Sequence, residues 1–491
     1  MSVHHYIACD LGAESGRVML GRLDDGKLTL EEIHRFANGP VRVNGSLRWD
    51  LLRLFDEMKK GLGKIAARGI KPDSLSCDSW GVDYVWLRER EPMLSVPFHY
   101  RDPLRNEGAF ERAFAVVPAE TIFAETGIQF MTINTLYQLQ ADLVSRPWVF
   151  KSADCFLNIG DYFNFLFSGV VRAEESLAST TELYNPKKHR WSRTLQSKFK
   201  LPKKLFPEVV PSGSVLGPLL PDVAAETGLA DLRVVASCSH DTGAAVAAVP
   251  VSGNNWAYLS SGTWSLLGLE SKKPIITEQS RAHNFTNEVG YGGSIRFLKN
   301  IIGLWIQQEC RRAWAREGHA YEYTGMAAMA EKVPPLRVLI NPNNPRFGTP
   351  DRMPQKIVDY CHETNQTPPA THGEFVRCIL ESLALLYRRT LDEMEEIAGK
   401  KLTTLHIVGG GSHNLLLNRL SANATGRTII AGPSEATAIG NVLIQALALG
   451  HLASLDELRR VVRESFAVTT CKPEDSAIWQ QAYERFRQLP I

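Results

Sequence analysis

The sequence lacks any strong excess of charge, any long apolar run and any paired-cysteine motif. Its 55 lysines and arginines nearly balance 53 aspartates and glutamates, and the basic residues do not concentrate in one stretch. A nucleic-acid-binding surface needs such a concentration, so that class of protein is not indicated. No apolar stretch approaches the roughly 18 to 20 residues needed to cross a bilayer, which argues against a membrane protein.

The eight cysteines are scattered without C-x-x-C spacing, so neither a zinc site nor a redox motif is indicated. Cys361 and Cys378 are close enough in sequence for a local bridge, but reduced thiols are the expectation. The start of the chain shows no basic segment followed by an apolar one, and we therefore expect a cytoplasmic protein without a leader. His4 and His5 lie near this end without further ligands, which does not indicate a metal site.

A chain of 491 residues, 44% hydrophobic and 22% charged, is typical of a globular protein with two domains. The simplest division falls near Asp222 to Leu232 or just after it, and we place the domains at 1–240 and 241–491. A cleft between two domains is a common position for a ligand.

Apolar periodicity predicts alternating strands and helices at both ends of the chain. In the first part we predict strands at 6–10, 17–23, 28–36 and 75–87, with a helix at 50–68. In the last part we predict helices at 375–398, 414–424 and 436–449, with strands at 404–408 and 428–431. The segments 7–20 and 257–268 share a pattern of strand, small polar turn and strand, which indicates either an internal repeat or two chance hairpins.

Three short motifs carry residues suited to phosphate chemistry. The first, Asp10-Leu-Gly-Ala-Glu-Ser-Gly-Arg17, joins two strands, and its backbone N–H groups can face a polyanion with Ser15 and Arg17 as further donors. Asp10 ends a buried strand and can hold a hydrated Mg²⁺ ion. A plain hairpin with an exposed aspartate is the alternative.

The second and third motifs each stand between a strand and a helix. Ser239-His-Asp-Thr242 exposes the Asp241 carboxylate at a strand end, beside helix N–H groups that attract phosphate oxygens, although a simple helix cap is compatible with the same residues. Ile407-Val-Gly-Gly-Gly-Ser-His-Asn414 allows a flat ring to lie against bare backbone, and a plain strand-to-helix turn explains it equally well.

The order of these motifs resembles that of the FGGY carbohydrate kinases, within the actin-like ATPase superfamily. The resemblance is closest to the members that phosphorylate L-rhamnulose and runs along nearly the whole chain. Further segments that carry it are Trp80-Gly-Val-Asp83, Tyr100-Arg-Asp102, Gly127-Ile-Gln-Phe130, Asn134-Thr-Leu-Tyr-Gln-Leu139, Tyr258-Leu-Ser-Ser-Gly-Thr-Trp-Ser265, Leu298-Lys-Asn300, Gly303-Leu-Trp305 and Leu405-His-Ile-Val-Gly-Gly-Gly411.

The resemblance implies an α/β fold of two actin-like (ribonuclease H-like) domains, with the active site in the cleft between them. The N-terminal domain would bind sugar and phosphate, and the C-terminal domain the nucleotide. Asp241 looks like the general base, and Asp10 like the residue that holds Mg²⁺ through water. Substrate-binding positions are implied at Gly81, His240, Asp241, Thr242 and Asn300. ATP-binding positions are implied at Ala13, Glu14, Ser15, Gly16, Arg17, Thr263, Gln308 and Gly410.

The implied activity is ATP-dependent phosphorylation of L-rhamnulose at its C1 hydroxyl, in rhamnose catabolism. The sugar assignment depends mainly on Trp80 to Asp83, although a strand tryptophan is more commonly part of a core. Glu14 departs from the family pattern, because related loops carry a small hydroxyl residue there. The alternatives are a kinase for L-fuculose or L-xylulose, or a non-catalytic nucleotide-gated sugar sensor. The expected partners are a ketose and ATP, and a monomer is compatible with them.

Overall fold

The computed structural model describes residues 3–92 and 96–490. Residues 1 and 2, part of the start for which no leader is predicted, lie outside the described residues. The strands are β1 His4–Leu11, β2 Ser15–Asp24, β3 Lys27–Ala37, β4 Pro40–Val43, β5 Ser46–Trp49, β6 Ser74–Ser79, β7 Tyr84–Arg88, β8 Glu91–Pro92, β9 Cys155–Asn158, β10 Ala173–Glu174, β11 Tyr184–Asn185, β12 Arg190–Trp191, β13 Val209–Val210, β14 Ser214–Pro218, β15 Arg233–Ala236, β16 Trp256–Ser261, β17 Trp264–Ser271, β18 Thr286–Val289, β19 Ile295–Ile302, β20 Thr404–Val408, β21 Thr428–Ala431 and β22 Thr469–Cys471.

The helices complete the mixed α/β content. They are α1 Leu51–Ala66, α2 Pro103–Asn106, α3 Ala109–Phe114, α4 Ala119–Thr126, α5 Thr135–Ser145, α6 Trp148–Ser152, α7 Ile159–Ser168, α8 Glu175–Thr180, α9 Arg193–Lys198, α10 Pro221–Thr227, α11 Asp241–Ala247, α12 Glu278–Ala282, α13 Trp305–Arg316, α14 Tyr323–Glu331, α15 Met353–Glu363, α16 His372–Ala398, α17 Leu415–Thr425, α18 Ala436–Ala448, α19 Leu455–Ser465 and α20 Ser476–Arg487. Short 3-10 turns lie at Lys203–Leu205, Tyr291–Gly293, Pro345–Gly348 and Gly410–His413.

The chain divides into two compact units, each assembled from separate segments. Unit 1 comprises Met1–Pro250, Glu270–Phe297 and Ala436–Ser465, and unit 2 comprises Val251–Leu269, Leu298–Glu435 and Phe466–Ile491. The predicted division of the chain after residue 240 stays a prediction.

The main sheet of unit 1 has six strands in the order β14-β15-β6-β1-β2-β3. Strand β1 pairs antiparallel with β2 and parallel with β6, which places the carboxyl ends of β1 and β6 at the same edge. The turn between β2 and β3 contains Asp25 and Gly26, both with positive φ, as a tight two-residue hairpin requires. Helix α1 begins after the cap residue Asp50 and buries the apolar face formed by Leu51, Leu54, Met58, Leu62 and Ile65.

Unit 2 repeats this plan around a second hairpin. Strand β16 pairs antiparallel with β17 and parallel with β20, and β20 in turn pairs parallel with β21. The hairpins β1–β2 and β16–β17 thus each lie beside one parallel strand that comes later in the chain. This common arrangement favours an internal repeat over two chance hairpins, the two interpretations that the sequence left open.

One predicted element is wrong, and the others are confirmed with ends shifted by a few residues. The strand predicted at 75–87 is two strands, β6 and β7, which belong to different sheets. The chain breaks between them because Val82 adopts a left-handed conformation with φ of 70°, which a β-branched residue rarely tolerates and which interrupts the extended backbone of a strand. The apolar run hid this break, since Trp80 and Val82 continue the apolar pattern.

Two expectations drawn from absences concern thiols and membranes. All eight cysteines lie in the described part of the chain and carry free thiols, Cys361 and Cys378 included. Within residues 3–92 and 96–490, the structure contains no helix with the length and apolar character that a bilayer crossing requires.

Candidate active site

The carboxyl ends of three neighbouring strands in unit 1 bring acidic and polar side chains together. Asp10 on β1 and Asp78 on β6 are direct partners in the parallel register. The chain beyond β15 continues the edge, because Ser79 forms a bridge with His240 and the N–H of Ser79 donates to the carbonyl of Ser239 at 2.9 Å. Parallel packing therefore assembles the site from segments far apart in sequence.

Asp78 is fully buried beside Asp10. Burial, and then the charge of Asp10, raise the pKa of Asp78 well above its ordinary value. Asn441 donates to Oδ2 of Asp78 at 2.6 Å, whereas Oδ1 has no hydrogen-bond partner among the described residues. Arg17 donates to Oδ2 of Asp10 and supplies local positive charge. Two adjacent carboxylates, one with an unsatisfied oxygen, form a centre that favours a cation.

Asp241 is the first residue of α11, at the same edge of the sheet. Removal of its carboxyl group from water, and then the charge of Asp10, raise the pKa of Asp241 to about 7, although its side chain is 29% exposed. The backbone N–H and the hydroxyl of Thr242 both donate to Oδ1 of Asp241, at 2.6 and 3.1 Å. The carboxylate is thus held in place while its pKa lies near neutrality.

His240 is buried, and its orientation follows from Arg296. Burial, and then the charge of Arg296, lower the pKa of His240 well below its ordinary value, so the ring is neutral. Arg296 lies 3.1 Å from Nδ1 of His240, and a guanidinium only donates, so Nδ1 accepts and the ring proton is on Nε2. That nitrogen is 3.4 Å from Oδ1 of Asp241. Glu288 forms an ion pair with Arg296 at 3.1 Å and offsets its charge.

Two buried polar residues fix the backbone that carries His240. The N–H of Ser239 donates to Oε2 of Glu174 at 3.0 Å, and the N–H of His240 donates to the hydroxyl of Ser176 at 3.1 Å. Both acceptors precede or begin α8, and both are fully buried. Hydrogen bonds from its backbone, as well as those of its side chains, therefore hold the segment from Ser239 to Asp241 in place.

The turn between β1 and β2 is held by Asn38. The N–H of Gly12 donates to the carbonyl of Ser15 at 2.9 Å, and the side-chain amide of Asn38 donates to the carbonyl of Gly12 at 2.8 Å. Ala13 is partly exposed and Glu14 is exposed, so the Glu14 side chain is not packed into the turn. Gly16 is buried, and a Cβ atom there would lie 2.3 Å from the ring of Phe36.

The segment from Trp80 to Asp83 is organised by a buried carboxylate. Asp83 accepts hydrogen bonds from the indole nitrogens of Trp49 and Trp80, at 2.6 and 3.1 Å, and from the amide of Gln138 at 2.9 Å. Burial raises the pKa of Asp83 to about 6 against the effect of these donors. Trp80 is 7% exposed and its ring centroid lies 4.2 Å from that of Trp49, so the tryptophan is part of the core.

Gly81 comes next in this segment and faces His240. A Cβ atom at Gly81 would lie 3.1 Å from the hydroxyl of Thr180 and 3.5 Å from Nε2 of His240. The structure thus brings together four of the residues predicted to bind substrate: Gly81, His240, Asp241 and Thr242. Their assigned roles stay predictions.

The candidate nucleotide residues of unit 2 lie around the turn between β16 and β17. The carbonyl of Thr263 accepts from the N–H groups of Gly303 and Trp305, at 3.2 and 3.3 Å. Gly409, with φ of 83°, begins the triple-glycine turn, and a Cβ atom at Gly411 would lie 2.0 Å from the hydroxyl oxygen of Ser261. Glycine is therefore required at these two positions. A Cβ atom at Gly410, between them, would have no neighbouring atom within 4 Å, so this residue borders open space.

Two further predicted residues also belong to unit 2. Gln308 lies on α13, and its side-chain oxygen is buried without a hydrogen-bond partner among the described residues. Asn300, predicted to bind substrate, lies on β19 and is partly exposed.

Sequence reasoning missed several residues that shape the unit 1 site, namely Asp78, Glu174, Glu288 and Arg296. Asp78 left one usable signal, since it stands in a predicted strand and an unpaired carboxylate is rarely buried without a purpose. Glu288 and Arg296 carried no comparable signal, because their partner His240 is distant in sequence and only the fold brings them together.

The residues at this edge of the unit 1 sheet fit a hydrated divalent cation. Mg²⁺ prefers carboxylate and water oxygens, and it is usually bound through one or two carboxylates and several waters. Asp10 and Asp78 offer such oxygens side by side, and Oδ1 of Asp78 lacks a partner within the part of the chain that the structure describes.

Comparisons with protein families agree with this geometry and cover both units of the chain. The N-terminal domain model of the FGGY family of carbohydrate kinases matches residues 6–248, and the C-terminal domain model matches residues 257–449. The chain belongs to the FGGY family of carbohydrate kinases. The predicted fold class, a two-domain α/β fold of this family, is thereby confirmed.

Among individual proteins, the chain is similar to two curated enzymes and one solved structure as follows. A rhamnulokinase of Bacteroides thetaiotaomicron is 41% identical and covers 98% of this chain and 99% of its own length. A rhamnulokinase of Oceanobacillus iheyensis is also 41% identical, over 94% of this chain and 97% of its own. A ligand-bound xylulose kinase of Lactobacillus acidophilus superposes with a TM-score of 0.81 over 99% of this chain and 97% of its own, at 15% identity. That last likeness shows the fold alone.

Proposed function

We propose that this protein transfers the γ-phosphate of ATP to the C1 hydroxyl of L-rhamnulose. The observation that carries the proposal is 41% identity to a rhamnulokinase over 98% of this chain. The arrangement of Asp241, His240 and Gly81 at one edge of the unit 1 sheet supports it, because a ketose hydroxyl placed there would meet a carboxylate with a pKa of about 7.

In this proposal Asp241 is the general base. Its carboxylate accepts the proton of the attacking hydroxyl, and a pKa of about 7 is well matched to that task near neutral pH. Thr242 fixes Oδ1 of Asp241 through two hydrogen bonds, which leaves Oδ2 to face the sugar. The Nε2 proton of His240, oriented by Arg296, is positioned to donate to a substrate oxygen.

Asp10 would hold Mg²⁺ through water, and Asp78 beside it would take part. The ion would supply charge neutralisation for the transferred phosphoryl group, which this reaction needs more than covalent assistance. Arg17 and the backbone N–H groups of Ala13 and Glu14 would donate to phosphate oxygens. Because Glu14 is exposed, its charge is largely screened by solvent there.

Unit 2 would bind the nucleotide. Gly410 borders open space, so a flat adenine or ribose can lie against its backbone. Thr263 and the unpartnered oxygen of Gln308 are further candidates for contacts with ATP. We place the protein in the cytoplasm, and its free thiols are in keeping with that reducing compartment.

The test is ADP release with Mg-ATP and a panel of L-rhamnulose, L-fuculose, L-xylulose, D-xylulose and glycerol, comparing kcat/KM. We expect a clear preference for L-rhamnulose. A preference for another ketose would keep the kinase mechanism and reject the substrate assignment, whereas no turnover with any sugar would favour a nucleotide-gated sensor.

A matched variant sharpens the substrate assignment. In Gly81→Ala the added methyl lies 3.1 Å from Thr180 and 3.5 Å from His240, so the KM for the sugar should rise while the KM for ATP stays unchanged. Gly63→Ala, on α1 of unit 1 where a Cβ atom would lie 4.0 Å from the nearest neighbouring atom, serves as the control for a general effect of adding a methyl group. An equal rise of both KM values in Gly81→Ala would contradict the placement of the sugar at Gly81.

A further inference from the structure

Three metal-ligating side chains from distant parts of the sequence meet at the amino end of β1. One ligand atom from each of His4, Asp73 and His451 lies within 4.8 Å of those of the other two. Nδ1 of His4 is 3.4 Å from Oδ1 of Asp73, and the rings of His4 and His451 stack with centroids 3.5 Å apart. Residue spacing alone did not indicate a metal site at His4, because the other two ligands are supplied by the fold of unit 1.

Each of two ligands is oriented by a second contact. A hydrogen bond of 2.7 Å joins the hydroxyl of Tyr6 to Nδ1 of His451, which leaves Nε2 of that ring available. The backbone N–H of His5 donates to Oδ2 of Asp73 at 2.9 Å, which leaves Oδ1 on the side of His4. Ligating histidines commonly carry such a partner on the other ring nitrogen, because it fixes the ring and its tautomer.

We propose that His4, Asp73 and His451 bind a divalent transition-metal ion, for which zinc is the best-suited probe. Two imidazoles with one carboxylate match the nitrogen and oxygen ligands of Zn²⁺, whereas Mg²⁺ and Ca²⁺ prefer oxygen alone. Three protein ligands leave one tetrahedral position for water. Side-chain exposures of 21% for His4 and 27% for Asp73 make the site accessible from solvent.

The position of this site separates it from the catalytic residues. Strand β1 runs from His4 to Leu11, and Asp10 lies six positions from His4, or about 20 Å at the usual rise of a strand. The three ligands belong to β1, the segment before β6 and the turn after α18. An ion bound there joins three segments of unit 1, so it stabilises the folded unit and leaves the chemistry at Asp241 unchanged.

The experiment titrates the untagged, chelator-treated full chain with ZnCl₂ in a calorimeter, and with CoCl₂ while recording visible absorption. We expect one ion per chain, a Tm that rises with zinc concentration, and tetrahedral Co²⁺ bands. His4→Ala and His451→Ala should lose the bands, while His362→Ala, which removes an exposed histidine of α15, should keep them. Tyr6→Phe should weaken binding by about 10- to 100-fold, the usual effect of removing a partner of a ligating histidine.

Two outcomes would overturn the proposal. One is the absence of saturable zinc binding to the wild-type chain. The other is unchanged binding by a His4→Ala/His451→Ala double variant that retains the wild-type kcat and circular dichroism spectrum, which would assign the bound ion to other residues.

Discussion

The turns of the two hairpins, β1–β2 in unit 1 and β16–β17 in unit 2, share a backbone plan and differ in charge. The first is flanked by Asp10 and Arg17, and Asp78 stands on the neighbouring parallel strand. The second carries the hydroxyls of Ser261 and Thr263, and its neighbouring parallel strand leads into three glycines. The same strand–turn–strand motif thus carries charged side chains in unit 1 and uncharged ones in unit 2.

The difference leads us to expect different ligands at the two turns. Buried carboxylates raise one another's pKa and attract a cation, so the unit 1 turn suits metal and proton chemistry. Gly410 borders open space between two close-packed glycines, so the unit 2 turn suits a flat, uncharged nucleoside. Four predictions test this division.

The largest expected effect comes from removing the proposed general base of unit 1, Asp241. Asp241→Asn should lower kcat by about 10²- to 10⁴-fold, because general-base catalysis supplies that much, while ATP binding by unit 2 is retained. Steady-state turnover and calorimetric titration with ATP measure the two effects. Asp231→Asn, an exposed aspartate with positive φ that asparagine also tolerates, is the control. Turnover near the wild-type level in Asp241→Asn would reject the base assignment.

A second substitution removes the acidic group next to Asp10 in unit 1. Asp78→Asn should weaken the apparent Mg²⁺ affinity in turnover assays by about 10- to 100-fold, as loss of a group supporting a metal site typically does. The raised pKa means that the folded chain favours protonated Asp78 and loses stability as pH rises through that pKa. The variant should therefore show a higher Tm than the wild type at pH 8 without metal. A lower Tm with unchanged Mg²⁺ dependence would contradict this account.

The pH dependence of turnover tests the role of Asp241 in the wild-type chain, without any substitution. The base must be ionised to accept a proton, and burial with the charge of Asp10 raises the pKa of Asp241 to about 7. Accordingly kcat/KM for the sugar should fall about tenfold per pH unit on the acid side of a midpoint near 7. ATP affinity, measured by calorimetry over the same range, should change less. A midpoint near 4 would show that the carboxylate is not so perturbed in the working enzyme.

The smallest expected effect comes from adding a methyl group to glycines of the unit 2 turn. Two such variants separate the effect on packing from the effect on ATP binding. Gly411→Ala should lower the free energy of unfolding by about 1 to 3 kcal/mol, because its methyl meets Ser261 in a close-packed site. Gly410→Ala has open space, so its Tm should stay unchanged while the KM for ATP rises. Thermal unfolding and ATP kinetics on both variants decide the matter. Equal Tm losses in the two variants would remove the distinction between them.

The sequence predicted the architecture well because its signals there are local. Apolar periodicity located β1, β2, β3, α1 and the alternating elements after residue 372 within a few positions. The motif Ser239 to Thr242 was also readable, since it stands at a strand-to-helix junction. The break at Val82 was not, because tertiary hydrogen bonds from Thr135 and Gln138 to its carbonyl hold a conformation that its own sequence disfavours.

The parts of the site that were missed depend on long-range contacts. Arg296 and Glu288 acquire their meaning only when the fold places them against His240. The same holds for Asp73 and His451 around His4. A single sequence contains these residues without any spacing that links them.

The four donors gathered on Asp83 also have a consequence for how this segment can change during evolution. Trp49, Trp80, Gln138 and the backbone of Tyr100 all direct hydrogen bonds to one buried carboxylate. Replacing Trp80 alone removes one donor from this buried carboxylate, so single substitutions in the segment are expected to lower stability. A library that explores this segment should vary positions 49, 80, 83 and 138 together, because few single substitutions will leave the buried carboxylate with enough donors.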